Sequence, residues 1–200
     1  MGMSARAKIV KKAKVAEVIE KPKIVLLDWD GTLVCDQKGE FGNEVLMPEA
    51  YSAIRILRRN GWNLAIVTNQ PGASERRITE IEIVSSRLFN IGIKVFCCRH
   101  RREDGCGCRK PMHKLLTNAI NYFCYDFQFE SAWIVGDKWS DVLAAERSSV
   151  FYSGRVKACK VGDFGYHQKG TTPLPGNLPV PDLFVKDIGV FASIAISGVI

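Results

Sequence analysis

The segment Ile24-Val25-Leu26-Leu27-Asp28-Trp29-Asp30-Gly31-Thr32-Leu33 constrains this chain more than any other. Four apolar residues in a row read as a strand buried on both faces, as in a parallel sheet covered by helices. The strand delivers two carboxylates, Asp28 and Asp30, one residue apart, and Gly31 lets the backbone turn sharply behind them. Open α/β sheets bind ligands outside the carboxyl ends of their strands. Alternate residues at a strand end point the same way, so both acids can reach one reacting centre. One is suited to act as nucleophile and metal ligand, the other as proton donor.

The rest of the chain repeats this logic. Pro48 opens a helical pattern through Ile54 and Leu57 that Gly61 can cap. Leu64–Val67 is a second buried strand ending at Thr68-Asn69-Gln70. Ile78, Ile81, Val84 and Leu88 mark one face of a helix, and Ile93–Phe96 reads as a third strand. A Cys/His-rich loop runs to Lys110, and Pro111 suits the first turn of a helix carrying Leu115, Ala119, Ile120 and Phe123. Ala132–Val135 is a fourth strand, followed by Gly136-Asp137 and a helical Val142–Glu146. Val150–Tyr152 is assigned as a fifth strand and Leu183–Val185 as a sixth, with a last helix behind it. Residues 154–180, rich in glycine and proline, read as mostly loop. Such alternation predicts a three-layer α/β fold, a Rossmann-like parallel sheet with helices on both faces.

At 200 residues the chain suffices for one domain with a real core, and 46% hydrophobic residues exclude global disorder. The formal net charge is +7, with Arg6, Lys8, Lys11, Lys12, Lys14 and Lys21 crowded at the start. Residues 1–21 are therefore assigned as a basic arm and 22–200 as a single domain. The arm reads as a solvated segment, and binding of nucleic acid or an acidic surface is its alternative use. No apolar run reaches the roughly 18 residues of a membrane span, and no secretory signal is evident. A cytoplasmic monomer acting on a small anionic substrate is expected.

Polar groups at the strand ends belong together. Asp28 and Asp30, Thr68 and Asn69, and Asp137 and Asp141 each follow a strand-like run, and Arg109-Lys110 precedes a helix start. In a parallel sheet these positions share one edge. Asp28 and Asp137 can hold a hard cation such as Mg²⁺. Thr68 can donate to a phosphoryl oxygen. Lys110 can neutralise charge there, aided by a helix N-terminus at Pro111. The set fits phosphoryl transfer. Neither Ser nor Cys occupies a comparable position, so a carboxylate is the nucleophile.

Asp28-Trp29-Asp30-Gly31-Thr32, Thr68-Asn69-Gln70, Arg109-Lys110-Pro111 and Gly136-Asp137-Lys138-x-x-Asp141 resemble the four motifs of the haloacid dehalogenase-like phosphatases. The resemblance spans roughly residues 23–153 and implies a mechanism. Asp28 would attack phosphorus and form an aspartyl-phosphate. Asp30 would protonate the leaving oxygen and then activate water, while its backbone carbonyl joins Asp28 and Asp137 as a Mg²⁺ ligand. Catalysis falls to Asp28, Asp30, Thr68 and Lys110, and Asn69, Gln70, Arg109 and Lys138 are the candidate substrate contacts. The intervals between motifs are filled by helix and strand, so no separate cap domain fits.

Cys98-x-His100-x5-Cys106-x-Cys108 supplies three thiolates and one imidazole, a closed tetrahedral Zn²⁺ set and hence a structural one. Cys97 competes with Cys98 as ligand. Pinning Cys108 would fix where Arg109 and Lys110 point. This loop is similar to that of the D-glycero-D-manno-heptose 1,7-bisphosphate phosphatases and of histidinol-phosphate phosphatase. The implied substrate is the heptose bisphosphate, with histidinol phosphate or a nucleic-acid 3′-phosphate as alternatives. A basic nucleic-acid-binding module is the non-enzymatic alternative. The chain departs from these relatives at Trp29, where they carry Arg, and across Asp36–Glu44, Pro71–Arg76 and residues 147–170.

Overall fold

The computed structural model describes residues 20–35, 45–90, 92–124, 128–149, 154–162 and 179–200, without the side chain of residue 88. The basic arm up to residue 19, the segment 36–44, the expected strand at 150–152 and most of the expected loop lie outside the described residues.

Six strands form one sheet: β1 (Lys23–Leu27), β2 (Trp62–Asn69), β3 (Lys94–Cys98), β4 (Ser131–Gly136), β5 (Val156–Val161) and β6 (Leu183–Val185). All neighbours are parallel, in the order β3-β2-β1-β4-β5-β6. Among the described residues five α-helices cover it: α1 (Ala50–Arg59), α2 (Glu75–Phe89), α3 (Lys114–Phe123), α4 (Trp139–Ser149) and α5 (Ile188–Ile196). The strands explain themselves by burial, since Ile24 through Leu27 are fully buried.

Two cores lie on opposite faces. Val25, Leu27, Ile66, Trp133 and Val135 face α1, α2 and α5 through Leu57, Ile81 and Phe191. Ile24, Leu26, Val67, Ile134 and Ala158 face α3 and α4 through Leu116, Ile120 and Val142. This is the expected three-layer arrangement. The strand order reverses between β1 and β4, whose registers pair Leu27 with Val135. A crevice at such a switch point is where a doubly wound sheet holds its ligand. Asp28 and Asp137 are the residues that leave the sheet there.

One expectation needs correction. α3 begins at Lys114 rather than Pro111. Arg109 to Met112 form a turn around a cis Lys110–Pro111 bond, closed by Met112 N–H donating to the Arg109 carbonyl at 2.7 Å. β5 occupies Val156–Val161, inside the stretch expected to be mostly loop. Trp29 is fully buried in the α1/α2/α5 core, and Leu33 and Val34 N–H donate to its carbonyl. Among the described residues no helix is long and apolar enough to cross a membrane.

Trp29→Ala is expected to cost about 3–5 kcal/mol of stability, the usual loss for a buried tryptophan. Chemical denaturation of the two proteins measures it. A loss well below about 1 kcal/mol would show that the ring does not fill this core.

Candidate active site

Every acidic site residue emerges where β1 or β4 ends. Asp28 is the first residue past β1, and its N–H still donates to the Val135 carbonyl at 2.9 Å. That bond keeps the carboxylate at the β1/β4 crevice. Gly31 takes φ +81°, and a Cβ there would lie 2.5 Å from Asp137 Oδ2. Glycine thus serves both the turn and the close approach of a second carboxylate.

Lys110 fills the centre. Its Nζ donates to Asp28 Oδ1 at 2.8 Å and to the Val67 carbonyl at 2.7 Å, and lies 2.6 Å from Asp141 Oδ1. Both ion pairs are almost fully buried. Asp141 Oδ1 is ion-paired with the ammonium, and its other oxygen accepts from Lys138 N–H at 3.2 Å. Burial alone lowers the pKa of the Lys110 ammonium. The carboxylates of Asp141 and Asp28 outweigh it, so the net direction is upward and the charge is held. For Asp141 burial dominates and raises the pKa, with Lys110 opposing.

Asp28, Asp137 and Asp141 bring one carboxylate oxygen each within 4.8 Å of one another. Asp137 Oδ1 is buried without a hydrogen bond, and the Lys138 ammonium reaches it only at 3.8 Å. Burial, with added repulsion from Asp28 and Asp141, pushes the Asp137 pKa up to about 7 against the pull of Lys138. An orphaned oxygen inside a carboxylate trio fits a hard divalent cation with oxygen ligands. The sequence proposed Asp28, Asp30 and Asp137 as this set. The structure groups Asp141 with Asp28 and Asp137, while the Asp30 carbonyl accepts from Lys138 Nζ at 3.4 Å. Asp141 was visible only as a motif member. The signal for it is its position in the first turn of α4, four residues after Asp137.

The β2 end orients the remaining groups. Gln70 Nε2 donates to Asp30 Oδ2 at 2.6 Å and to Thr68 Oγ1 at 3.1 Å. Asn69 donates to the Lys110 carbonyl and accepts from Lys110 N–H, both at 3.0 Å. Its amide is therefore committed to the lysine backbone, not open to substrate as the sequence suggested. Arg109 is half-exposed and donates to the His100 carbonyl at 3.1 Å.

The second cluster joins Cys98, His100, Cys106 and Cys108. Sγ–Sγ distances run from 3.4 to 3.7 Å, and His100 Nδ1 lies 3.6 and 3.3 Å from Cys98 and Cys108. Zn–S bonds of about 2.3 Å set tetrahedral S–S edges near about 3.8 Å, so the spacing suits that ion. Strand alternation separates the two candidate thiols: Cys98 packs with the α3/α4 core and Cys97 with the opposite one. Burial pushes the Cys97 thiol up to about 11.

Comparison with known proteins adds independent weight, although no family model matches the chain. The D-glycero-beta-D-manno-heptose-1,7-bisphosphate 7-phosphatase of Pseudomonas putida is 30% identical over 183 residues, covering 85% of this chain and 97% of that protein. The chain belongs to the haloacid dehalogenase-like phosphatase family. The histidine biosynthesis bifunctional protein HisB of Campylobacter jejuni is 29% identical over 142 residues, which is 64% of this chain. The chain spans 40% of the length of these HisB relatives. The solved D,D-heptose 1.7-bisphosphate phosphatase from B. bronchiseptica, complexed with magnesium and phosphate, shares the fold. Its TM-score is 0.66 at 21% identity, covering 88% of this chain and 98% of that one.

The raised Asp137 pKa makes cation binding a proton competition in this family member. In metal-free protein the folded pKa of about 7 exceeds the ordinary 3.8. The associated stability is complete below 3.8 and is lost as pH rises through about 7. Added Mg²⁺ should therefore raise the Tm more at about pH 8 than at about pH 5.5, where protons hold the site. Equal shifts at both pH values in a thermal melt would remove Asp137 from the cation site.

Proposed function

We propose that this chain is a Mg²⁺-dependent phosphatase that removes the 7-phosphate of D-glycero-D-manno-heptose 1,7-bisphosphate through an aspartyl-phosphate on Asp28. The observation that carries it is the buried Lys110 ammonium between Asp28 and Asp141, beside an Asp30 held by Gln70. The relative covered over nearly its whole length carries that substrate in its name.

The chain's own groups suffice to describe the proton and electron-pair movements. Lys110 occupies Asp28 Oδ1, which leaves the other oxygen to attack phosphorus in line with the ester oxygen. Asp30 gives its proton to that leaving oxygen as the P–O bond breaks. Gln70 donates to one Asp30 oxygen and leaves the other for proton transfer. Gln70 also donates to Thr68 Oγ1, which frees the Thr68 hydroxyl hydrogen for a phosphoryl oxygen. In the second half Asp30 takes a proton from water as it attacks the aspartyl-phosphate, releasing inorganic phosphate and Asp28. A cation held by Asp28, Asp137 and the Asp30 carbonyl, with Asp141 beside them, would supply charge neutralisation at the phosphoryl oxygens. Lys138 and Arg109 are the groups available to the anionic substrate, and Asn69 acts by positioning Lys110. Zn²⁺ held by Cys98, His100, Cys106 and Cys108 would be structural.

Histidinol phosphate is the second reading, favoured by the similarity to HisB over 142 residues. Turnover of the heptose bisphosphate should exceed that of histidinol phosphate and of a 3′-phosphorylated oligonucleotide in parallel assays. The opposite order would reassign the substrate. Asp28→Asn should abolish phosphate release while the protein melts as the wild type does, and undiminished turnover would overturn the nucleophile assignment. Protein purified in reducing buffer without chelator should carry about one zinc per chain. Metal analysis finding none would leave the Cys/His loop unliganded.

A further inference from the structure

The loop that carries the Cys/His cluster is also an arginine array. Arg99, Arg101, Arg102 and Arg109 lie within it, against Glu103 and Asp104. Arg99, Arg101 and Arg102 are exposed and Arg109 half-exposed. Their counter-charges are weakly engaged. Arg99 reaches Glu75 only at 3.7 Å, and Asp104 accepts from the Arg101 backbone N–H at 2.7 Å. Among the described residues neither Arg101 nor Arg102 forms a salt bridge.

The array borders the candidate active site. Gln70 N–H donates to the Cys98 carbonyl at 2.8 Å and Gly72 N–H to the Arg99 carbonyl at 2.7 Å. Gln70 is the residue that touches Asp30. A phosphorylated substrate in that site already has Lys138 and Arg109 to meet it. Arg99, Arg101 and Arg102 add three exposed guanidiniums beyond that pair. Guanidinium forks match phosphate oxygens in pairs and suit an extended row of them.

An aromatic pair adjoins the array. Phe96 lies about 7 Å from Cys98 along edge strand β3, at ~3.3 Å per residue. Its ring meets that of Tyr122 edge-on at 5.9 Å. Tyr122 is 61% exposed, and its ring, edge-on to both Phe96 and Phe123, is of the kind on which nucleobases stack. The net charge of +7 adds long-range attraction for a polyanion.

We propose that the arginine loop and the Phe96–Tyr122 pair form a binding surface for single-stranded nucleic acid, with Arg101 and Arg102 on backbone phosphates and Tyr122 under a base. This surface is separate from the phosphatase reading and does not require it.

The test uses the full chain and a labelled single strand of about twelve nucleotides with hydroxyls at both ends, so that no terminal phosphate enters the candidate active site. Fluorescence anisotropy across a salt series should show affinity falling with log–log slope of about −0.7 per phosphate contacted. The double variant Arg101→Gln/Arg102→Gln should bind at least about tenfold more weakly, with a slope shallower by about 1.4. Its melting temperature and its turnover of p-nitrophenyl phosphate should match the wild type. Tyr122→Ala should weaken binding by about tenfold with the slope unchanged. Absence of salt-dependent binding by the wild type overturns the proposal. So does an undiminished slope in the double variant, which would move the contacts to the basic arm.

Discussion

The Lys110 ammonium holds the site together. Three regular elements and one turn converge on it: Asp28 from β1, the Val67 carbonyl from β2, Asp141 from α4, and the turn that carries Lys110 itself. Carboxylates gathered this closely in a buried crevice repel one another, and an unpaired buried charge costs several kcal/mol. A cation at the centre turns the repulsion into attraction. It must be a lysine in a fixed place, because the three oxygens around Nζ leave no slack. Asn69 provides that fixity by binding both the N–H and the carbonyl of Lys110.

The Cys/His loop is tied into the same arrangement at several points. Cys98 ends β3 opposite Asn69, and its carbonyl accepts from Gln70 N–H. Arg99 accepts from Gly72, and His100 accepts from Arg109. The loop thus holds both the segment that orients Asp30 and the segment that presents Lys110. A structural cation there would act on catalysis through these bonds, by fixing where neighbouring groups stand.

Much of this was legible in the sequence, and the reasons are physical. Fully buried parallel strands are near-continuous apolar runs, so β1, β2 and β4 announced themselves together with the polar groups at their ends. β5 did not. Its sequence, Val156-Lys157-Ala158-Cys159-Lys160-Val161, carries two lysines and sits near glycines. Lys160 is nevertheless 2% exposed, its ammonium 5.2 Å from the Phe184 ring and 5.8 Å from that of Trp139. Lys157 likewise lies 5.0 Å from the Trp133 ring. Such cation–aromatic contacts join residues far apart in sequence and leave no local pattern. Asn69 misled for a related reason: an amide after a strand looks available, and only the fold shows which backbone it serves. The start of α3 slipped because a proline suits a helix's first turn and a tight turn equally well.

Charge balance explains how so acidic a crevice can serve an anionic substrate. With Asp30 carrying the proton it gives to the leaving oxygen, Asp28, Asp137 and Asp141 face two ammonium groups, those of Lys110 and Lys138. One negative charge remains, and a phosphate ester would be repelled. Without a cation the crevice relieves the excess by binding a proton, as the rise of the Asp137 pKa to about 7 indicates. A divalent ion outweighs the deficit in one step and fills the position that Asp137 Oδ1 leaves unsatisfied. The site then carries one positive charge, which draws phosphate inward. The acids by themselves bind a cation; the ester is recruited only after that cation has reversed the sign of the field.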